Sequence, residues 1–254
     1  MPPCGVLVNK KVLQKGVKKV STFNTQYVPM AKGRLRVEFS AFFPMWGQLT
    51  AQQQAALCGG AFSRKVGKGE VMHSGDVDCT GLLLVQSGQL RAFMLSPEGR
   101  EITLYRLFQR DLCLLSASCM MRSIQFDITI QAEKDTTLWV IPAEIYKRVM
   151  EASAPLANFT NEVMAARFSE VMWLIEQILW KSFDKRLAAF LLEEAAIEGT
   201  STLRLTHETI GNHLGHPREV VTRMLRYFQA EGMVRLSRGV VEIVDERALR
   251  RLAA

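Results

Sequence analysis

Hydrophobic and polar positions alternate differently in the two halves of the chain. Between Trp46 and Pro142, short runs of strand-forming residues are separated by turn sequences such as Ser87-Gly88. Turn signals at a spacing of about 8–12 residues are typical of a small all-β barrel or sandwich. We predict strands over residues 61–66, 70–73, 82–86, 89–95, 101–107, 125–132 and 137–141.

A short helix is predicted just before the first strand. Thr50 suits its N-cap, because a threonine hydroxyl at that position accepts a hydrogen bond from a free backbone N–H. The pair Gly59-Gly60 suits its end, because glycine adopts the left-handed C-cap conformation most easily. The helix is therefore expected over residues 49–57.

Beyond Pro142 the pattern becomes helical and stays so to about residue 198. Within residues 155–180 the hydrophobic positions are spaced 4-3-4-3, the heptad repeat by which two helices pair along a seam. Such a helix either packs on its own barrel or pairs in parallel with a second copy, and the strict repeat favours the pair. The predicted dimer seam consists of Met164, Phe168, Val171, Ile175 and Ile178.

Two short helices joined by a tight turn are predicted near the C-terminus. Thr206 suits the N-cap of the first, His207–Leu214, which stops at Gly215, and Pro217 suits the start of the second. A glycine inside a helix costs about 1 kcal/mol relative to alanine, so Gly211 indicates that another helix crosses close by. The arrangement is a helix-turn-helix.

The second of these helices separates its residues by face. Its apolar side is formed by Val221, Met224, Leu225 and Phe228, and the opposite side carries Arg218, Glu219, Thr222, Arg223 and Arg226. In a DNA major groove an arginine can bind guanine O6 and N7, and a glutamate can accept from cytosine N4. A solvated helix face with internal ion pairs is the alternative interpretation.

A strand, a turn and a strand follow directly, over residues 233–236, 237–239 and 240–244. A hairpin with basic residues after a helix-turn-helix is a wing, which places Arg235 and Arg238 where they can contact phosphate. Asp245 is predicted to cap a last helix over residues 246–252.

The charge of the chain is unevenly distributed. Lys and Arg number 32 against 25 Asp and Glu, a net charge of +7. All of this excess falls within residues 1–40, although a local basic excess reappears after residue 200. The leader is either a basic arm that attracts DNA in a salt-dependent way or an upstream extension, with Met30 and Met45 as internal starts.

Several classes of protein are not expected. No segment offers the ~20 mostly apolar residues of a membrane-spanning helix, and the odd number of cysteines, five, fits a reducing compartment. We therefore expect a cytoplasmic protein without a membrane partner. A metal-dependent barrel enzyme needs about three histidines on one metal, but only His73 lies in the predicted barrel. No catalytic or metal site is predicted.

The sequence resembles the Crp/Fnr regulators over roughly residues 42–250. The resemblance is carried by the turn Gly69–Asp76, the hairpin Leu83–Arg91, the heptad helix and the run Thr206–Leu225. It implies an α+β fold: an antiparallel β-roll (a double-stranded β-helix or jelly roll) of the cyclic-nucleotide-binding type, a dimerisation helix and a winged helix-turn-helix. The implied divisions are residues 1–40 (leader), 41–153 (sensor domain), 154–181 (dimerisation helix) and 182–254 (DNA-binding domain).

The resemblance also implies partners and roles. Double-stranded palindromic DNA, a second copy of the chain, RNA polymerase and a small-molecule effector are the expected partners. Arg218, Glu219 and Arg223 match the Arg-Glu-x-x-x-Arg pattern that reads TGTGA-like half-sites, with Thr222 beside them. The residues expected to contact phosphate are Thr206, His207, His216, Arg226, Arg235 and Arg238. An adaptor protein without sequence-specific DNA binding is the alternative.

The sensor domain departs from the family pattern. Cyclic-nucleotide-binding members have Gly-Glu and Arg-Ser or Arg-Thr where this chain has Leu114-Leu115 and Phe126-Asp127. A buried cyclic phosphate without its arginine would be an unpaired charge, so cAMP is not expected, although Arg122 lies nearby. The cysteine cluster of the iron–sulfur branch is also missing, because Cys4 stands alone in the N-terminal segment.

A cysteine- and methionine-rich run over residues 112–121 occupies this loop instead. Cys113 and Cys119, with Arg122, form a candidate effector or redox pocket, because thiols and thioethers sense oxidants or bind soft metals and haem. The alternative is that these side chains fill the core, for which both residue types are well suited. The effector itself is not identified.

Overall fold

The computed structural model describes residues 39–74, 80–120 and 127–254, with residues 118–120 described by backbone alone. The leader over residues 1–38 and the predicted pocket residue Arg122 lie outside the described residues, as does the side chain of Cys119. Phe39, assigned to the leader from the sequence, is fully buried. The core of the sensor domain therefore includes at least one residue before position 41.

Within the described residues, eight antiparallel strands form a β-roll of two four-stranded sheets. One sheet has the order β1-β8-β3-β6 and the other β2-β7-β4-β5. The interior between them is filled by side chains such as Leu83, Leu90 and Ile130, which makes this the central core of the sensor domain. The strands are β1 (Phe62–Val66), β2 (Val71–Ser74), β3 (Leu82–Ser87), β4 (Leu90–Leu95), β5 (Glu101–Leu107), β6 (Leu112–Cys113), β7 (Thr129–Ala132) and β8 (Thr136–Ile141).

A second core lies on the outer side of the first sheet. Phe39, Phe43 and Trp46 pack with Trp139 of β8 and Tyr146, with ring centroids about 6 Å apart in several edge-on or tilted pairs. The helices that cover this core are α1 (Ala51–Gly60) and α2 (Ala143–Glu151). Together they close the β-roll on this face.

The expected end of α1 was wrong. Gly59 and Gly60 belong to the helix, and Ala61 follows it in extended conformation. A side chain at Gly60 would meet Ile145 Cδ1 of α2 at 2.1 Å. The close packing of two helices, and not a helix stop, accounts for the second glycine. The expected N-cap is confirmed, since Gln53 N donates to Thr50 Oγ1 (3.2 Å).

The long helix α3 (Ala154–Trp180) divides the predicted seam between two faces. Met164 and Val171 are half-buried against the β-roll of the same chain. Phe168, Ile175 and Ile178 are exposed, Phe168 by 67%. The exposed apolar stripe runs instead through Phe168, Met172, Ile175 and Leu179, again with heptad spacing.

The remaining residues form a winged helix-turn-helix domain around its own core. The helices are α4 (Phe183–Glu198), α5 (His207–Leu214), α6 (Arg218–Ala230) and α7 (Glu246–Ala253), and the sheet has the order β10-β11-β9. Its strands are β9 (Thr202–Leu203), β10 (Val234–Ser237) and β11 (Val240–Ile243). Among the described residues, no helix is long and apolar enough to cross a bilayer.

The two domains contact each other through β5 and α5. The backbones of Ile102 and Leu214 form an isolated antiparallel bridge. Buried Arg106 of β5 pairs with Glu133 of the β-roll (3.1 Å) and with Glu194 of α4. The Nδ1 atom of His213 on α5 shares a hydrogen bond with Thr103 Oγ1 (2.9 Å), and its Nε2 lies 3.3 Å from Glu133 Oε1. We call these five side chains the junction network.

Candidate nucleic-acid interface

The turn between α5 and α6 depends on two glycines and one cap. Thr209 N donates to Thr206 Oγ1 (3.0 Å), which fixes the start of α5. Gly215 ends α5 with φ +73°, a left-handed conformation that glycine adopts without cost. A side chain at Gly211 would lie 2.5 Å from the carbonyl oxygen of His216. The backbone close to Gly211 is therefore that of the turn residue His216, and not that of a crossing helix as the sequence predicted.

The two sides of α6 differ as the spacing predicts. Val221, Leu225 and Phe228 are fully buried in the core of the winged domain. Arg218, Glu219, Arg223 and Arg226 are exposed. Pro217 is the N-cap, so α6 begins one residue later than the sequence indicates. The exposed side presents three guanidinium groups and one carboxylate on the second helix of the motif.

Thr222 is tied into the protein on the same helix. Its hydroxyl donates to the carbonyl of Arg218 (2.8 Å), and its oxygen lies 2.8 Å from His207 Nδ1 of α5. Burial, followed by the nearby Arg218 and Arg226 cations, lowers the pKa of His207. His207 thus links the first helix of the motif to the exposed side of the second.

His216 lies on the side of the turn that faces α4. Its ring packs against Phe183, with centroids 4.2 Å apart, and its Nε2 contacts the guanidinium of Arg186. Burial and the Arg186 cation lower the pKa of His216. This position, half-buried against α4, differs from that of an open phosphate contact.

The wing carries two arginines in different states. Arg235 of β10 pairs with its cross-strand neighbour Glu242 of β11 (2.8 Å). Arg238 is exposed in the turn beside Gly239, and within the part of the chain that the structure describes it forms no ion pair. Arg238 is therefore the wing cation whose charge is free for an anion.

Of the three residues of the candidate redox pocket, Cys113 is the one whose side chain the structure describes. Its side chain is 1% exposed, and burial raises the pKa of its thiol. Its sulfur lies 4.0 Å from the hydroxyl of Tyr105, whose pKa burial raises well above the usual value. Because the thiolate is the reactive form, Cys113 has the properties of a core side chain.

Arg167, on the long helix α3, has no sequence signal that marks it as a site residue. Arg167 of α3 lies over the ring of Tyr105, with its guanidinium carbon 4.8 Å from the centroid, and pairs with Glu170. It brings a cation of α3 into contact with strand β5. Leu114 and Leu115 are buried in the core.

Among the described residues, no group of three or more His, Cys, Asp or Glu side chains lies close enough together to hold a metal ion.

Comparison with known proteins places both domains. Residues 63–153 match the cyclic nucleotide-binding domain and residues 185–252 the Crp-like helix-turn-helix domain. A solved structure of a regulator assigned to the Crp/Fnr family from Eubacterium rectale is 64% identical, with a TM-score of 0.82, over 84% of this chain and 98% of that one.

Curated relatives agree at lower identity. The transcriptional activator FnrA of Stutzerimonas stutzeri is 29% identical over 204 residues, which are 75% of this chain and 80% of FnrA. The cyclic AMP receptor protein of Thermus thermophilus is 25% identical over 183 residues, 72% of this chain and 83% of that protein. Both domains match family models, and the Eubacterium rectale regulator is covered over nearly the whole of its own length at high identity. The chain therefore belongs to the Crp/Fnr family of transcriptional regulators.

Proposed function

We propose that this regulator binds palindromic DNA as a homodimer, in the cytoplasm, with one α6 helix in the major groove of each half-site. The observation that carries the proposal is the exposed side of α6, where Arg218, Glu219 and Arg223 stand together while the opposite side is buried. Arginine and glutamate are the side chains that distinguish guanine and cytosine by their edges. Their Arg-Glu-x-x-x-Arg spacing favours a TGTGA-like half-site.

Other residues of the winged domain supply phosphate contacts in this proposal. Arg226 extends the basic side of α6, and Arg238 projects from the wing without an ionic partner among the described residues. Such contacts set the position of the protein on the duplex and make binding salt-dependent. Thr206 and His207 lie at the start of α5, and His207 reaches α6 through Thr222.

The apolar stripe of α3 supports the dimer. Phe168, Met172, Ile175 and Leu179 repeat at heptad spacing and are exposed in the single chain. Contiguous apolar surface of this kind is a sign of a partner surface, and a second α3 covers it by coiled-coil packing. A two-fold dimer presents two α6 helices to two half-sites, which suits a palindrome.

Fluorescence anisotropy with the full-length chain tests the DNA contact. The probe is a duplex carrying two inverted TGTGA sequences whose centres lie about one helical turn apart. We expect Arg223→Ala to weaken binding by about 1–3 kcal/mol. Substitution of the guanine base pair that Arg223 contacts in each half-site should cost the wild type the same amount but the variant little.

Arg148→Ala is the matched control. Arg148 is an exposed arginine on α2 of the sensor domain, so the variant loses the same charge far from α6 and should bind like the wild type. Equal affinity of the wild type for the palindrome and for a scrambled duplex would contradict sequence-specific binding and favour the adaptor alternative.

A further inference from the structure

A cavity of about 160 Å³ opens where the β-roll, the long helix and the winged domain meet. Strand β5, the C-terminal half of α3, and helices α4 and α5 each contribute to its wall. Most of the wall is apolar, with Leu174 of α3, Phe190 of α4 and Leu214 of α5 among its side chains. An apolar cavity of about 150 Å³ accommodates a benzene ring, so this one has room for a single ring or a short alkyl chain.

Two arginines reach this wall, and their charges are balanced differently. Arg106 is paired with Glu133 and Glu194 in the junction network. Arg186 of α4 forms no ion pair within residues 39–74, 80–120 and 127–254, and its Nε is buried without a hydrogen-bond partner. Its guanidinium instead contacts His216 Nε2 and lies near the ring of Phe183.

The surroundings of Arg186 therefore favour an anion. Burial lowers the pKa of Arg186, whereas Glu133, Glu194 and Glu193 counter the effect of burial at Arg106. Glu193 also lines the cavity, but it is exposed and, among the described residues, forms no ion pair with Arg186. Removing a cation from water is costly unless a charge partner and hydrogen bonds replace the water. A carboxylate supplies both, because it binds a guanidinium through two parallel hydrogen bonds.

We propose that the junction cavity binds a small organic acid, whose apolar body fills the space beside Phe190 and Leu214 and whose carboxylate pairs with Arg186. The ligand bridges the sensor domain and both α4 and α5 of the winged domain. Bound there, it favours the docked arrangement of the two domains and so acts on the orientation of α6. That regulatory consequence rests on the proposed DNA binding, whereas the binding of the acid does not.

The test uses the full-length chain without DNA. Phenylacetate and hexanoate are titrated in a calorimeter, with 2-phenylethanol as the uncharged counterpart of phenylacetate, and the fluorescence of Trp173, which lines the cavity, is followed in parallel. We expect at least one of the two acids to bind at one site per chain, and phenylacetate to bind at least about tenfold more tightly than the alcohol, because the alcohol lacks the carboxylate that pairs with Arg186.

Three variants locate the site. Arg186→Gln should abolish the preference for the acid over the alcohol, Arg186→Lys should retain part of it, and Ala189→Phe, which fills the cavity, should weaken both ligands. Lys185→Gln is the matched control, because Lys185 is the neighbouring cation on α4 and does not line the cavity. Thermal unfolding of each variant confirms that it is folded.

The proposal is overturned if neither acid binds the wild type at millimolar concentration, if acid and alcohol bind equally, or if Arg186→Gln and Arg186→Lys both bind the acids like the wild type. Because none of these measurements contains DNA, their failure leaves the proposed DNA binding untouched. Conversely, a chain that binds the acid but not the palindrome would contradict the proposed DNA binding and leave the proposed acid site standing.

Discussion

At the scale of single residues, Gly211 and Gly59 are both helical glycines with opposite surroundings. A Cβ at Gly211 would lie 2.5 Å from the His216 carbonyl oxygen, a backbone atom that has no freedom to rotate away. A Cβ at Gly59 of α1 would meet no atom within 4 Å. The same chemical change therefore has different consequences at the two sites.

We expect Gly211→Ala to destabilise the winged domain by about 1–3 kcal/mol, the usual cost of forcing an extra group into a filled space. Gly59→Ala should be neutral or stabilising by up to about 1 kcal/mol, because alanine is the better helix former. Urea unfolding of both variants followed by circular dichroism compares them directly. A Gly211→Ala chain as stable as the wild type would show that the turn into α6 can shift.

At the scale of elements, α3 carries two apolar stripes side by side. Met164 and Val171 belong to the stripe that packs on the β-roll, and Met172 and Ile175 belong to the exposed stripe. Because the exposed stripe is not part of the packing against the β-roll, a substitution on it should leave the folded sensor domain intact.

We expect Met172→Glu to weaken dimerisation by about tenfold or more, because the seam would bury an unpaired carboxylate from each copy. Sedimentation equilibrium over a range of concentrations measures the change. Ala166→Glu places the same charge at an exposed α3 position on a different face and serves as the control. If both variants dimerise like the wild type, the partner surface lies elsewhere.

Elements with a clear period or a clear turn could be predicted from the sequence, and those without could not. Strand β5 has the predicted bounds, while β6 and β9 contain two residues each, too few to show any alternation. The 4-3 spacing on α3 indicated a seam, but adjacent stripes share that spacing, so it did not separate Met164 from Met172. Gly59-Gly60 resembled a helix end because the contact with Ile145 is a tertiary one.

The same reasoning applies to the sites. The basic side of α6 is local, and its spacing alone placed Arg218 and Arg223 on one exposed side. The contact between Arg106 and His213 joins residues 107 positions apart, and neither residue has a distinguishing neighbourhood in the sequence. The junction network, and the lack of an ion pair at Arg186 within the described residues, thus emerge only from the folded chain.

At the scale of the whole molecule, we expect the junction network to make the stability of the folded chain sensitive to pH. Burial first, and then the Arg106 and Arg91 cations, lower the pKa of His213 to about 3. Thr103, Glu133 and Phe190 are its other neighbours from β5, the β-roll and α4, and Glu194 pairs with the adjacent Arg106. His213 is therefore neutral in the docked molecule at pH 7, although Glu133 is close to it.

The sign of the pH effect follows from this lowered pKa. Between about pH 6.5 and pH 3 the unfolded chain binds a proton that the folded chain does not, so stability falls as the pH decreases through this window. The slope is at most about 1.4 kcal/mol per pH unit for one group.

We expect His213→Gln, which cannot titrate, to show a smaller loss of melting temperature than the wild type between pH 7 and pH 5. His207→Gln serves as the comparison, since His207 lies outside the junction and is less buried. Identical pH profiles for His213→Gln and the wild type would remove His213 as the source of the effect.

The pairing of Arg106 with both domains also limits how such proteins can be recombined. A chimera that joins this sensor domain to the winged domain of another regulator keeps the cation but loses Glu194 and His213 unless the donor has equivalents. One buried guanidinium would then have a single carboxylate where it now has two. Exchange of modules between relatives therefore requires a donor winged domain with a carboxylate at the position of Glu194, and we expect the positions of Arg106 and Glu194 to covary.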